Sequence, residues 1–288
     1  MHQKNFFNFD PKCWPVITGH TVKELLKRKK GKYRFKLGKR EVSVSVGKNI
    51  VFSWEFPERG RKIIELSRKT LNNIDRTHVY TVFPDLKFSR VSLFHGSYYQ
   101  LVAPHPSCSF TLEIDGVHMH AVKGTTPLKS TREKVNYLDI SQGDNVLDIC
   151  TGLGYSVIEE RRRGGNVLTI EKNREVLQVA QINPYSEELE GIPILVGDAT
   201  EEVSYLENES FDKVFHDPPR FSLAGDLYSL EFYEDLWNLL RRRGSMFHYT
   251  GTPGKYQNKN FRKGIKNRLK EARFELIKET DNGVLVRK

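Results

Sequence analysis

Three cysteines are all that the 288 residues contain: Cys13, Cys108 and Cys150, with no CxxC pair and no Cys/His cluster. That scarcity excludes a disulfide framework and gives no support to a structural zinc; a reducing, cytoplasmic setting fits it best. No run of eighteen apolar residues occurs, and the opening MHQKNFFNFD lacks the basic-then-apolar pattern of a secretory signal, so neither export nor a membrane helix is expected. Internal repeats and low-complexity stretches are also missing. What is present is a globular composition: 38% hydrophobic residues with seventeen Phe supply a core, and 28% charged residues are ordinary for a folded chain.

The net charge of +10 is unevenly spread. Residues 1–130 carry 23 Lys+Arg against 10 Asp+Glu, a net +13, whereas residues 131–288 carry 23 against 26, a net −3. The densest stretch, residues 23–40, holds ten basic side chains (Lys23, Lys27, Arg28, Lys29, Lys30, Lys32, Arg34, Lys36, Lys39 and Arg40) against the single acid Glu24. A surface so one-sided favours a polyanion such as RNA, whose condensed counterions are released on binding. A second run, residues 255–270, has seven Lys+Arg and no acid, with Lys255, Arg262 and Lys263 near its start.

Residues 32–56 alternate apolar and polar side chains and read as a small antiparallel sheet. Residues 58–72, ERGRKIIELSRKTLN, have near-helical apolar spacing and predict a helix. HVYTVF, VSLFHGSYYQLVA and SFTLEIDGVHMHAV supply more strands, with Asp115-Gly116 as a hairpin turn. His118 and His120 share a strand face without a third ligand candidate, so no metal is expected there. The polar stretch KGTTPLKS then marks a boundary, giving domains over 1–125 and 131–288. Beyond it, short apolar strands alternate with amphipathic helices, which implies an α/β fold with a mostly parallel sheet. The Asn282-Gly283 pair predicts a terminal antiparallel hairpin and a total of seven strands.

Residues 146–155, VLDICTGLGY, place Asp148 at the end of a buried strand and Thr151, Gly152 and Gly154 in a tight loop entering a helix, where backbone can approach a ligand. Three further stations follow. NVLTIE ends in Glu171, about twenty residues past the loop, where a carboxylate can accept ribose hydroxyls. The next strand runs into Gly197-Asp198-Ala199, and the fourth into His216-Asp217-Pro218-Pro219-Arg220-Phe221. In this pattern the chain resembles the class I S-adenosylmethionine-dependent methyltransferases over residues 131–288. It implies a Rossmann-like sheet with S-adenosylmethionine as cofactor. Asp148, Thr151, Gly152, Gly154 and Tyr155 would form its methionine-side loop, Glu171 with Lys172 the ribose side, and Asp198 with Ala199 the adenine side. Tyr155-Ser156 stands where a third glycine is usual, and Val157 breaks the GxGxxG of dinucleotide enzymes.

The segment Asp217-Pro218-Pro219-Arg220-Phe221 resembles the D/N-PP-Y/F signature of enzymes that methylate base or amide nitrogens, with Arg220 in the usual aromatic position and Phe221 one place later. Prolines stiffen the loop and remove N–H donors, leaving Asp217 to accept from a planar nitrogen nucleophile. The DPPxF form is similar to RNA guanine-N7 and cytosine-C5 methyltransferases. C5 chemistry needs a thiolate, and SMFHYTG, the fifth-strand segment, contains no Cys. LYSLEFYEDLWNLLRRRG is similar to a helix of aminopropyltransferases, and residues 150–254 resemble an uncharacterised archaeal, spermidine-synthase-like methyltransferase family. The expectation is a methyltransferase acting on a nucleobase nitrogen of RNA, tRNA foremost and guanine N7 first, then an exocyclic amine. Lys27, Arg28, Lys29, Lys30, Arg34, Lys255, Arg262 and Lys263 would grip the RNA, and Asp217 to Phe221 would serve the reaction. A small-amine transferase and a silent RNA-binding module are the competing readings; Arg220 beside the reacting loop opposes a dicationic amine.

Overall fold

The computed structural model describes residues 5–12, 14–37, 40–56, 60–82, 87–106, 108–251 and 258–288. Cys13, Lys39 and Lys255 lie outside the described residues. The chain divides into two compact units. One joins the segment ending at Phe9 to Leu128–Arg174 and Leu189–Lys288; the other joins Asp10–Pro127 to Glu175–Glu188.

The first described element is a short strand, β1 (Phe6–Phe7). The unit beginning at Asp10 then opens with β2 (Val16–Thr18) and α1 (Gly19–Lys27). Thr18 caps the helix by accepting from the Thr21 N–H at 3.2 Å, and Val22 and Leu25, three apart, turn one face into the core. Four strands follow as an antiparallel meander, β3 (Gly31–Leu37), β4 (Arg40–Val46), β5 (Asn49–Phe56) and β6 (Gly60–Ser67). Their alternate residues Val42, Val44, Ile50, Phe52, Ile64 and Leu66 pack with Val22, Leu25 and Leu71.

The helix expected over residues 58–72 is corrected by β6: Ile64 and Leu66 point inward while Ile63 is 52% exposed, the period of a strand paired to β5. Only α2 (Arg68–Asn72) is helical, capped by the Ser67 hydroxyl. Next, β7 (Val79–Val82) pairs antiparallel with β2 and with β8 (Phe88–Arg90). A second four-stranded antiparallel sheet contains β9 (Ser92–His95), β10 (Ser97–Val102), β11 (Thr111–Ile114) and β12 (Val117–His118). Its Asp115-Gly116 turn has φ of 46° and 80°, the left-handed pair that a tight hairpin requires.

The larger unit runs α3 (Pro127–Val135), β13 (Asn145–Ile149), α4 (Tyr155–Arg162) and β14 (Asn166–Glu171). After α5 (Arg174–Ile182), most of which groups with the other unit, come β15 (Ile194–Val196), α6 (Ala199–Glu202), β16 (Phe211–His216) and α7 (Leu230–Leu239). The chain ends with β17 (Leu240–Tyr249), α8 (Asn258–Glu271), β18 (Glu275–Glu279) and β19 (Gly283–Arg287).

The sheet order is β1-β15-β14-β13-β16-β17-β19-β18. The five strands from β15 to β17 are parallel, and β19 runs antiparallel to both β17 and β18. This is the class I methyltransferase topology, with one strand more than the seven expected, because β1 pairs antiparallel with β15. The terminal hairpin turns at Asp281-Asn282, between Thr280 and Gly283, whose N–H···O contact is 2.9 Å. The order reverses beside β13, and in such sheets ligands bind outside the carboxyl ends of the strands at that point. Among the described residues no helix is long and apolar enough to cross a membrane.

Candidate functional site

The apolar run of β13 ends in Asp148, which is 0% exposed. One carboxylate oxygen accepts from the Thr169 hydroxyl at 2.6 Å, and that hydroxyl in turn contacts Thr151 at 2.6 Å. With the Thr169 proton given to Asp148, Thr151 must be the donor in the second bond. The other oxygen of Asp148 has no partner among the described residues. Burial pushes the Asp148 carboxyl up to about 6, opposed by the hydroxyls of Ser156 and Thr169.

The loop after β13 is left-handed at Cys150, Gly152 and Gly154, with φ of 74°, 55° and 74°. The two glycines serve different needs. A Cβ on Gly154 would lie 2.3 Å from the Leu189 side chain, whereas one on Gly152 would meet only the Cys150 carbonyl, at 3.9 Å. Gly154 is therefore small for packing, and Gly152 borders open space. Its N–H donates to Glu171 at 2.9 Å, and the Asn173 N–H donates to the other oxygen of Glu171 at 3.0 Å. Burial raises the Glu171 carboxyl, opposed by those backbone N–H groups. Asp198 caps α6 through Thr200 and is paired with Lys172 at 2.7 Å. Burial would lift the Asp198 carboxyl, but the Lys172 ammonium and the Thr200 donors outweigh it and hold it low. Ala199 and Tyr155 are buried beside these groups in sequence, at the first positions of α6 and α4.

At the end of β16, Asp217 is ion-paired with Lys134 of α3. That lysine is 8% exposed, and its ammonium lies 4.7 Å from the centre of the Tyr249 ring at the end of β17. Sequence reading missed both partners, which are distant in the chain and carry no motif. Pro218 is buried, and the Pro219 carbonyl accepts from the Tyr228 hydroxyl at 2.7 Å, which fixes the loop. Arg220 is exposed, and Phe221 is 51% exposed, its ring edge-on to Tyr228 and Phe261 at 5.6 and 5.4 Å. Behind them the His216 and His248 rings stack at 4.4 Å, both wholly buried. His216 is tied to the Leu227 carbonyl at 2.9 Å, and burial holds its imidazole down at about 4. His248 contacts the Tyr233 hydroxyl at 2.9 Å.

Of the basic residues, Lys27, Lys29, Lys30 and Arg34 are exposed. Arg28 is paired with Glu24 and lies 5.1 and 5.5 Å over the Tyr33 and Phe35 rings. Lys263 is exposed, whereas Arg262 is half-buried and engaged within the chain. Its guanidinium donates to the Thr280 and Gly283 carbonyls at 2.7 and 2.9 Å, pinning the terminal hairpin to α8. Among the described residues no group of three or more His, Cys, Asp or Glu could hold a metal ion.

A parallel sheet with this strand order, a glycine loop after its first strand and acids at the ends of the next two defines a class I S-adenosylmethionine-dependent methyltransferase. Within that class the chain belongs to the family of the uncharacterised protein MJ1233 of Methanocaldococcus jannaschii, with which it shares 42% identity over 233 residues, 80% of this chain and 78% of that protein. Residues 128–244 match the family described as Conserved hypothetical protein 95. A 100-residue stretch is 32% identical to the 23S rRNA (uracil(1939)-C(5))-methyltransferase RlmD of Photobacterium angustum, covering 34% of this chain and 46% of that enzyme. The fold is similar to a crystal structure of spermidine synthase with a transition-state analogue, with a TM-score of 0.55 at 17% identity over 68% of this chain and 71% of that one.

The residues fit the cofactor. The unpartnered oxygen of buried Asp148 and the open space over Gly152 are features that a bound ligand would complete. S-adenosylmethionine also carries ammonium and sulfonium charges that suit two carboxyls, Asp148 and Glu171, which have no ion pair among the described residues.

Proposed function

We propose that this methyltransferase acts on a ring nitrogen of a nucleobase in a structured RNA, with guanine N7 as the first choice. The observation that carries the reading is the end of β16: a rigid Asp217-Pro218-Pro219 loop whose acid is paired with Lys134, beside an exposed Arg220 and a half-exposed Phe221 ring. When bound, S-adenosylmethionine supplies an electrophilic methyl group on a sulfonium. The work left to this chain is to hold a flat acceptor in line. Phe221 offers a ring for stacking, Asp217 an acceptor for the guanine N1–H or amino group, and Arg220 a donor for O6 or a phosphate. Guanine N7 has a lone pair and no proton, so no base is needed.

Uracil or cytosine C5 transfer requires a thiolate, and burial pushes the Cys150 thiol well up, which disfavours that route. The likeness to an enzyme named for 23S rRNA supports RNA as the substrate class and puts ribosomal RNA beside tRNA. The basic stretch around Lys27 to Arg34 supports RNA over a small metabolite. The spermidine synthase fold favours a polyamine only at the level of the fold, and the Lys134 ammonium already satisfies the acid that a polyamine would seek.

Incubation with labelled S-adenosylmethionine and unmodified tRNA or ribosomal RNA transcripts, followed by nucleoside mass spectrometry, is expected to yield a methylated purine. Asp217→Ala should lower turnover by about 100-fold or more while calorimetric cofactor binding stays nearly intact. Label in free amines and none in RNA would reject the reading.

A further inference from the structure

Four carboxyls act on Cys150 electrostatically. Its thiol is pushed up first by burial and then by the charges of Glu171, Asp148, Asp217 and Asp198. Two of the four carry a lysine of the chain: Asp198 is paired with Lys172 and Asp217 with Lys134. The two lysines differ in setting. The Lys172 side chain is 68% exposed and that of Lys134 only 10%. A buried ammonium is costly unless paired, and this one has a carboxylate on one side and the Tyr249 ring face on the other. An acid flanked by an aromatic ring is also the environment that a cationic amine acceptor would need, and here the chain fills it with its own cation.

We propose that Lys134 determines acceptor specificity: by occupying the cation seat between Asp217 and Tyr249, it excludes charged amines and leaves Asp217 a hydrogen-bond acceptor for a neutral, planar nitrogen. The inference rests on the nucleobase reading and narrows it. Methyl transfer to a ring nitrogen forms one N–C bond as the S–C bond breaks. The electron pair of that bond stays on sulfur, the positive charge passes to the base, and no proton leaves. An exocyclic amine must lose a proton, and the Asp217 carboxylate that would take it is already engaged by the Lys134 ammonium. The charged and titratable groups that interact with Asp217 are Lys134 from α3, Asp148 from β13, Cys150 from the loop after it and Tyr228 from the segment before α7.

The test uses the full-length protein saturated with S-adenosylhomocysteine, with spermidine as the cationic probe. Calorimetry should show no spermidine binding by the wild type and binding tighter by about tenfold or more in Lys134→Met, while Lys134→Arg behaves as the wild type. Retention of the wild-type behaviour by Lys134→Arg, which keeps the cation, is a result that a lysine serving only to fill space would not produce. If Lys134→Met does not fold, Lys134→Gln carries the same measurement. Spermidine binding equal in wild type and Lys134→Met, or gained equally by Lys134→Arg, overturns the proposal. The measurement uses no RNA, so a failure of the RNA assay leaves it informative, and its failure leaves RNA methylation standing.

Discussion

Asp148 has one carboxylate oxygen bonded to Thr169 and the other without a partner, in a site with no exposure to water. Its acid is shifted from an ordinary value of about 3.9 up to about 6, and the sign of the consequence follows from proton linkage. Between those values the folded chain holds a proton that the unfolded chain has released, so stability is highest below about pH 4 and falls as pH rises to about 6. The cost at neutral pH is on the order of 3 kcal/mol. Asp148→Asn keeps an acceptor for Thr169 and removes the charge. The variant should melt higher than the wild type at pH 7 with weaker S-adenosylmethionine binding. The melting difference should grow between about pH 4 and about pH 6 and then level off. Taking the difference cancels the opposing contribution of His216, whose buried imidazole loses stability as pH falls from about 6.5 toward about 4. Equal melting at all pH values would show that Asp148 carries no such penalty.

At the scale of elements, the loop between β13 and α4 separates packing from ligand approach. Gly154→Ala must push a methyl group against Leu189 in a left-handed residue, at a cost of about 2–4 kcal/mol. Gly152→Ala pays only the conformational cost, about 1 kcal/mol, but puts its methyl into the space over the loop. Thermal melting and cofactor titration should therefore split the pair: Gly154→Ala unstable, Gly152→Ala stable with weakened cofactor binding. A stable Gly154→Ala would contradict the close approach to Leu189.

That loop was legible because its glycines, Asp148 and Glu171 fall on consecutive strands with strong apolar runs. Other elements were not legible. In β6 the apolar positions Ile63, Ile64 and Leu66 suit a helix locally, and pairing with β5 decides otherwise. Strand β1 is two residues long, too short for any period, and forms only because β15 offers an unpaired edge. Lys134 sits in KSTREKVN, an ordinary helical stretch, and acquires meaning only when α3 brings it to an acid 83 positions away.

Across the whole molecule, the surplus of positive charge lies in residues 1–130, at net +13, while residues 131–288 stand at net −3. Within that excess, not every cation is available. Arg28 is engaged by Glu24 and two rings, whereas Lys27, Lys29 and Lys30 are exposed. In the other unit Arg262 is spent on the terminal hairpin. If the exposed lysines contact phosphates, each should contribute about 0.7–0.9 to the slope of log affinity against log salt. Replacing Lys27, Lys29 and Lys30 with Ala should therefore flatten that slope by about 2–3, measured by filter binding of tRNA or ribosomal RNA between about 50 and about 200 mM salt. The melting temperature should hardly change, because none of the three is buried. Arg262→Ala should do the reverse, lowering the melting temperature with little effect on the salt slope, since it removes two hydrogen bonds from a charged donor and no phosphate contact. An unchanged slope in the lysine variant would place the RNA-binding surface elsewhere, because no other property of three exposed side chains would keep counterion release constant.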